Sequence, residues 1–136
     1  MPYLEPSPEQ IAALRALPPD RPVVLCNLLK FKPDGGRELY ARYAGTSTRL
    51  IYELGGSYIY HGNALATVIG GEQWDEIVLV RYPSLESFFA MVSSPEYQTA
   101  APFRQQGLLD SRLIAVETSP AEETPGWMLA FPEKEP

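Results

Sequence analysis

Residues 56–83 read Gly-Ser-Tyr-Ile-Tyr-His-Gly-Asn-Ala-Leu-Ala-Thr-Val-Ile-Gly-Gly-Glu-Gln-Trp-Asp-Glu-Ile-Val-Leu-Val-Arg-Tyr-Pro, from Gly56 to Pro83. Two runs rich in β-branched and aromatic residues flank the Gly70-Gly71 pair. That pattern predicts one long β-hairpin, with its turn at the glycines. Elements on either side are read outward from it. Upstream, Leu39, Tyr43, Leu50 and Leu54 recur at helical spacing and predict a helix over 37–54. Gly55-Gly56 ends it in the usual C-cap manner. Before the helix, the nearly continuous apolar run Val23 to Lys32 predicts a central strand covered on both faces. Earlier still, Ser7-Pro8-Glu9-Gln10 opens a short helix with a capping box, and Pro18-Pro19 stops it.

Downstream, Ser84 caps a helix carrying Leu85, Phe88, Phe89 and Val92. Ser94-Pro95-Glu96 is a second N-cap signal, so this helical block is broken near Ser93-Ser94, and Pro102 is expected to kink or restart it. Arg112 to Glu117 is the last strand, and a Pro- and Glu-rich tail follows from Thr118. The tail carries one apolar island around Trp127, Leu129 and Phe131, which is expected to pack on the body or on a partner. The chain divides into an N-terminal helical appendage (1–20), a core (21–118) and a tail (119–136), all within a single domain.

The order β, α, β, β, α, β with short connections is that of a split βαβ plait, an antiparallel sheet with helices on one face. Both parities of its strands carry apolar groups: Leu25, Leu29, Ile77 and Leu79 on one, Val24, Leu28, Val78 and Val80 on the other. A single copy would leave an apolar sheet face open, and a second copy is the simplest cover.

Composition bounds the function. The chain has 136 residues, 45% of them apolar and 21% charged, which suits one globular domain with its own core. Its net charge of −6 disfavours nucleic acid and anionic membranes as partners. No apolar run is long enough to span a bilayer, and the N-terminus lacks the features of a signal peptide. A cytoplasmic protein is expected. Cys26 is the single cysteine and His61 the single histidine, so neither a disulfide nor a zinc site is expected. Neither GxGxxG, nor a P-loop, nor a GxSxG elbow is present, and no cofactor is expected.

The chain resembles an uncharacterised, domain-of-unknown-function group within the dimeric α+β barrel superfamily. The residues that carry the resemblance are Asn27-Leu28-Leu29-Lys30-Phe31-Lys32, Tyr40 and Tyr43, Gly55-Gly56, Glu72-Gln73-Trp74-Asp75-Glu76, Tyr82-Pro83-Ser84, Ser94-Pro95-Glu96-Tyr97-Gln98 and Ser111-Arg112-Leu113. The resemblance implies a ferredoxin-like plait that dimerises into a barrel, and it implies no particular reaction. Better-known relatives include cofactor-free monooxygenases, haem-degrading enzymes, chlorite dismutases and muconolactone isomerases. Their catalytic motifs do not map onto this chain.

Four residues stand out as site candidates. His61 is the natural general base near neutral pH, or else a hydrogen-bonded residue at a strand end. Asn27 interrupts an apolar strand, so its amide is satisfied by neighbours or aimed at a ligand. Arg81 interrupts Ile77 to Val80, where it clamps a carboxylate bidentately or reaches an ion-pair partner or solvent. Tyr43 belongs to a set with Tyr40, Tyr58, Tyr60, Tyr82 and Tyr97, residues that line a pocket or pack in the core with wet hydroxyls. Arg104 is read as a solvated or ion-paired helix residue, and Cys26 as a small inert hydrophobe. Whether His61 and Arg81 share a sheet face turns on hairpin register, which the Gly70 to Asp75 stretch leaves open. Two functions follow: a cofactor-independent oxygenase or isomerase with His61 as base, Asn27 as orienter and Arg81 as clamp, or a non-catalytic small-molecule binding or stress-related dimer.

Overall fold

In the computed structural model, which describes residues 2–118, α1 (Pro8–Arg15) precedes the core. Then come β1 (Val23–Phe31), α2 (Gly36–Glu53), β2 (Ser57–Asn63), β3 (Glu76–Tyr82), α3 (Leu85–Ser93), α4 (Pro95–Gly107) and β4 (Leu108–Glu117). The four strands form one antiparallel sheet in the order β2-β3-β1-β4, the topology of a ferredoxin-like plait. The tail cluster Trp127, Leu129 and Phe131 lies outside the described residues.

Local chemistry accounts for the element borders. Ser7 Oγ accepts the Gln10 N–H at 3.1 Å, while Gln10 Oε1 accepts the Ser7 N–H at 2.9 Å, closing the capping box. Ser84 caps α3 through the Ser87 N–H, and Ser94 caps α4 through the Tyr97 N–H, so the expected joint in the helical block is present. Helix α4 nevertheless runs through Pro102 without the restart expected as the alternative to a kink. Its ring lies on the exposed side of the helix, where the carbonyl it leaves without a helical donor can turn to water.

The hairpin also departs from its expected length. Strand β2 ends at Asn63, paired with Glu76, and the run Ala64 to Ile69 is not a strand. Ala64–Asp75 forms a twelve-residue loop instead, because Asp75 ties both its ends: it accepts the Ala64 N–H on its carbonyl at 2.9 Å and donates its own N–H to Leu29 O at 2.8 Å. Pairing stops where the chain turns to reach those partners, and the β-branched residues beyond Asn63 have no strand to face.

Register sorts the apolar residues onto two faces. Leu25 pairs with Val80 and Ala115, and Asn27 with Val78 and Leu113, so odd positions of β1 share a face with even positions of β3. Val23, Leu25, Leu29, Phe31, Val78, Val80 and Tyr82 form the core under the helices with Leu50, Ile51, Leu85, Met91 and Leu108. Val24, Cys26, Leu28, Ile77, Leu79, Arg81, Ile114 and Val116 occupy the other face, where Ile114 is 51% and Val116 42% exposed.

The helix layer is pinned by one close crossing. The Lys32 N–H donates to Gly107 O at 2.9 Å, bringing the end of α4 against the start of α2. A Cβ on Gly107 would sit 2.6 Å from Gly36 O, and one on Gly36 would sit 2.5 Å from Gly107 O. Only glycine fits at both positions. Gly107→Ala should therefore cost roughly 1–3 kcal/mol through forced separation of the two helices, read as a lower midpoint in denaturant unfolding.

The N-terminal segment is strapped to β4. Asp110 Oδ1 accepts the Tyr3 N–H and the Ser111 N–H, each at 2.8 Å, and Ser111 Oγ donates to Tyr3 O. Partial burial pushes the Asp110 carboxyl up, but these two amides and the Arg112 guanidinium outweigh it together and hold it below its ordinary value. A depressed folded value adds stability above the ordinary aspartate pKa of about 3.9, and that stability is lost as pH falls through the folded value. The gap in melting temperature between the wild type and Asp110→Asn should therefore be full above about pH 5 and shrink below about pH 4.

Candidate functional site

Helix α2 places Tyr40, Tyr43 and Ser47 three and four residues apart, on the stripe that turns inward. Tyr43 and Ser47 are buried. The Tyr43 hydroxyl meets the Tyr97 hydroxyl from α4 at 3.1 Å, and the two rings pack edge to face at 5.7 Å. The Tyr40 ring lies between Phe31, at 5.4 Å, and Tyr43, at 5.2 Å. Tyr58 of β2, on the helix side of the sheet beside Val80, bonds Thr48 Oγ1 through its hydroxyl at 2.7 Å. A band of phenols thus runs between helices and sheet.

Burial is the main influence on Tyr40 and Tyr43, and it pushes both hydroxyls well above the ordinary tyrosine value. The Arg104 cation opposes this at both, without reversing it. These hydroxyls therefore stay protonated through the neutral range, as hydrogen-bond donors and acceptors and not as bases. Arg104 itself is held by the N-terminal strap, donating from Nη1 to Leu4 O at 3.2 Å.

Asn27 is on the same side of the sheet, between Leu25 and Leu29 in β1. Its Nδ2 donates to Val78 O at 3.3 Å and Leu25 O at 3.4 Å. Its amide nitrogen thus faces two backbone carbonyls. No donor among the described residues reaches Oδ1, a half-buried acceptor left open.

His61 pairs with Val78 and so lies on the helix side as well, at the edge of the sheet. Its side chain is 70% exposed, with Nδ1 at 4.0 Å from Glu76 Oε2. Glu76 in turn takes Arg37 at 3.0 Å. Gly62, which follows, pairs with Ile77 and so faces away from His61, and the Tyr60 hydroxyl lies 2.6 Å from where its Cβ would stand. Arg81 pairs with Val24 and Ser57 on the opposite face. A bulge between Tyr58 and Tyr60 shifts β2 by one residue and settles this register. Within one chain, His61 and Asn27 therefore share a face, and Arg81 does not join them. Cys26 lies beside Leu79 and Ile114 on that opposite face, where burial pushes its thiol up. A concavity of about 400 Å³ in the Ala64–Asp75 loop, lined by Leu65, Thr67, Gln73 and Trp74, is separate from all of these.

Glu76, behind His61, is a residue that sequence reading passed over; its position at the start of β3 gave no signal until pairing brought it opposite Asn63. The Tyr43–Tyr97 bond joins two members of the tyrosine set, a pairing that depends on how α2 and α4 pack. Among the described residues no group of three or more His, Cys, Asp or Glu side chains is placed to hold a metal ion. No helix among them is long and apolar enough to cross a membrane.

Sheet order, helix layer and open face together define an α+β protein of the ferredoxin-like class. The chain belongs to the family described as a domain of unknown function, DUF1330, whose model matches residues 35–119. A solved protein of unknown function from Rhodopseudomonas palustris is 31% identical, with a TM-score of 0.82, covering 88% of this chain and 99% of that one. A dimeric ferredoxin-like protein of unknown function from Jannaschia sp. is 16% identical at a TM-score of 0.59, covering 71% and 99%. Hydroxynitrile lyase from Passiflora edulis is 12% identical at a TM-score of 0.59, covering 79% and 100%. The last two likenesses are of fold alone. No curated protein matches the chain.

Removing the Tyr43 hydroxyl should leave the fold intact and cost about 1 kcal/mol, the worth of one net buried hydrogen bond. Tyr43→Phe is expected to show this as a lower unfolding midpoint with an unchanged m-value.

Proposed function

We propose that this protein is a cytoplasmic homodimer that binds a small polar molecule between its helix layer and its sheet, without a cofactor. One observation carries the reading: Asn27 holds an amide oxygen in the middle of an apolar strand with no donor among the described residues. A half-buried amide oxygen with no protein donor among the described residues is available to accept a hydrogen bond from a ligand N–H or O–H. The protonated phenols of Tyr40 and Tyr43 supply neutral donors in the same layer. A neutral or weakly anionic molecule with both donor and acceptor groups suits this set, with Arg104 adding positive potential. The exposed apolar sheet face supports the dimer, as does the dimeric state given for the Jannaschia protein.

A second reading, in which the bound molecule is turned over, rests on His61 and Glu76. They stand 4.0 Å apart on the helix side, and a carboxylate behind an imidazole is the arrangement that orients a general base. An isomerase-type proton transfer fits it. On this reading His61→Gln keeps binding and abolishes turnover.

Asn27→Leu separates a ligand role from a structural one. Replacing the amide by an apolar side chain of similar shape removes two long Nδ2 bonds, about 1 kcal/mol in all, and should lower the melting temperature by only a few degrees with the fold kept. The same change should abolish retention of a bound small molecule in native mass spectrometry, and the thermal shift given by any compound that stabilises the wild type. Ligand retention undiminished in Asn27→Leu would sink the proposal. So would a wild type that retains nothing and responds to no compound in a broad screen.

A further inference from the structure

The Ala64–Asp75 loop combines a tied root with a bare apolar tip. At the root, Asp75 Oδ2 accepts the Phe31 N–H at 2.8 Å, in addition to the bonds that tie Asp75 to Ala64 and Leu29. Thr67 Oγ1 donates to Glu72 O at 2.6 Å across the loop. Glu72 pairs with Arg112 of β4 at 2.8 Å, and the Arg112 guanidinium stacks 5.0 Å from the Trp74 ring. The tip is thus presented in a defined way. On it, Leu65 is 96%, Val68 92% and Ile69 93% exposed. Surface loops are ordinarily polar, and a cluster of nearly bare aliphatic side chains marks a contact surface.

The occupant is a second copy of this chain. Arg112, on which the loop root rests, pairs with Leu28 and so belongs to the sheet face away from the helices. That face carries the exposed Ile114 and Val116, and the loop root is tied to it through the Glu72–Arg112 pair and the Arg112–Trp74 stacking. The stretch Ala64 to Gly71 has no charged residue, so its docking works against no ion pairs even though each copy carries a net charge of −6. An isologous contact needs a surface that complements itself, and an apolar tip beside an apolar face on one chain meets that condition. We propose that the Ala64–Asp75 loop is a dimerisation arm, which seats Leu65, Val68 and Ile69 on the partner's open sheet face while the partner's arm does the same in return. The inference rests on the homodimer reading and names the segment that secures it.

The test uses the full chain with Ile69→p-benzoylphenylalanine, mixed as unlabelled and nitrogen-15-labelled copies and irradiated. Mass spectrometry should find cross-links between copies, to peptides within 23–31, 76–82 or 108–117. In parallel, Val68→Asp with Ile69→Asp should weaken dimerisation at least ten-fold by sedimentation equilibrium, with unchanged far-ultraviolet circular dichroism. Cross-links confined to one copy, including any to its own residues 119–136, would overturn the arm, as would a double variant that dimerises like the wild type. A wild type that is monomeric at high concentration overturns the homodimer reading and the arm together. A dimeric wild type with a silent arm overturns the arm alone.

Discussion

Strand β1 is hydrogen-bonded on both sides, to β3 and to β4, and its register decides what every other element faces. With Leu25 set against Val80 and Ala115, the side chains of Leu25 and Leu29 go under the helices, and Leu29 is fully buried. Because side chains alternate along a strand, a slip of one residue would carry that apolar set to the other face. The same register delivers Asn27 to the helix side, in a strand whose neighbouring inward positions are leucines. The polar feature of the candidate site is thus a consequence of how the core is built, and the strand cannot lose the one without moving the other.

The inward face of the sheet, which Asn27 shares, is covered by the helix layer. The bare backbones of Gly36 and Gly107 let α2 and α4 approach, and the phenol rings of Tyr40, Tyr43 and Tyr97 interlock in the space between. Burial keeps the Tyr40 and Tyr43 phenols protonated, which suits hydrogen bonding and unsuits proton abstraction. The imidazole of His61 stands at the margin, largely in solvent beside Glu76. The proposed binding group Asn27 and the proposed base His61 are therefore divided between the interior and the rim of one sheet face. Arg81 belongs to the other face and to whatever covers it.

That other face poses a separate physical problem. Cys26, Leu79, Ile114 and Val116 line it, and the loop between β2 and β3 adds aliphatic side chains almost wholly in water. A lone copy holds this surface at a cost in hydration free energy. The proposed arm and the proposed sheet-to-sheet contact remove that cost with one symmetric assembly.

Much of the fold was legible in the amino-acid sequence because local signals carried it. The capping box at Ser7, the caps at Ser84 and Ser94, and the helical stripe through Tyr43 and Leu50 each depend on residues within a few positions of one another. Strand count, strand order and the apolar excess on two faces follow from these and from short connections. The candidate site was legible in its residue types, Asn27 and Tyr43 among them, but not in its grouping. Arg81 parted from His61 because a bulge at Ile59 shifted β2 by one residue, and an alternating pattern reads the same with or without such a shift. The composition of Ala64 to Ile69 is strand-like, but strand formation requires a partner, and the chain opposite, Gly70 to Trp74, does not pair with it. Helix caps and periodicities are short-range quantities, and sequence determines them by itself. Register, face and partnership are long-range ones, settled only when separate elements meet.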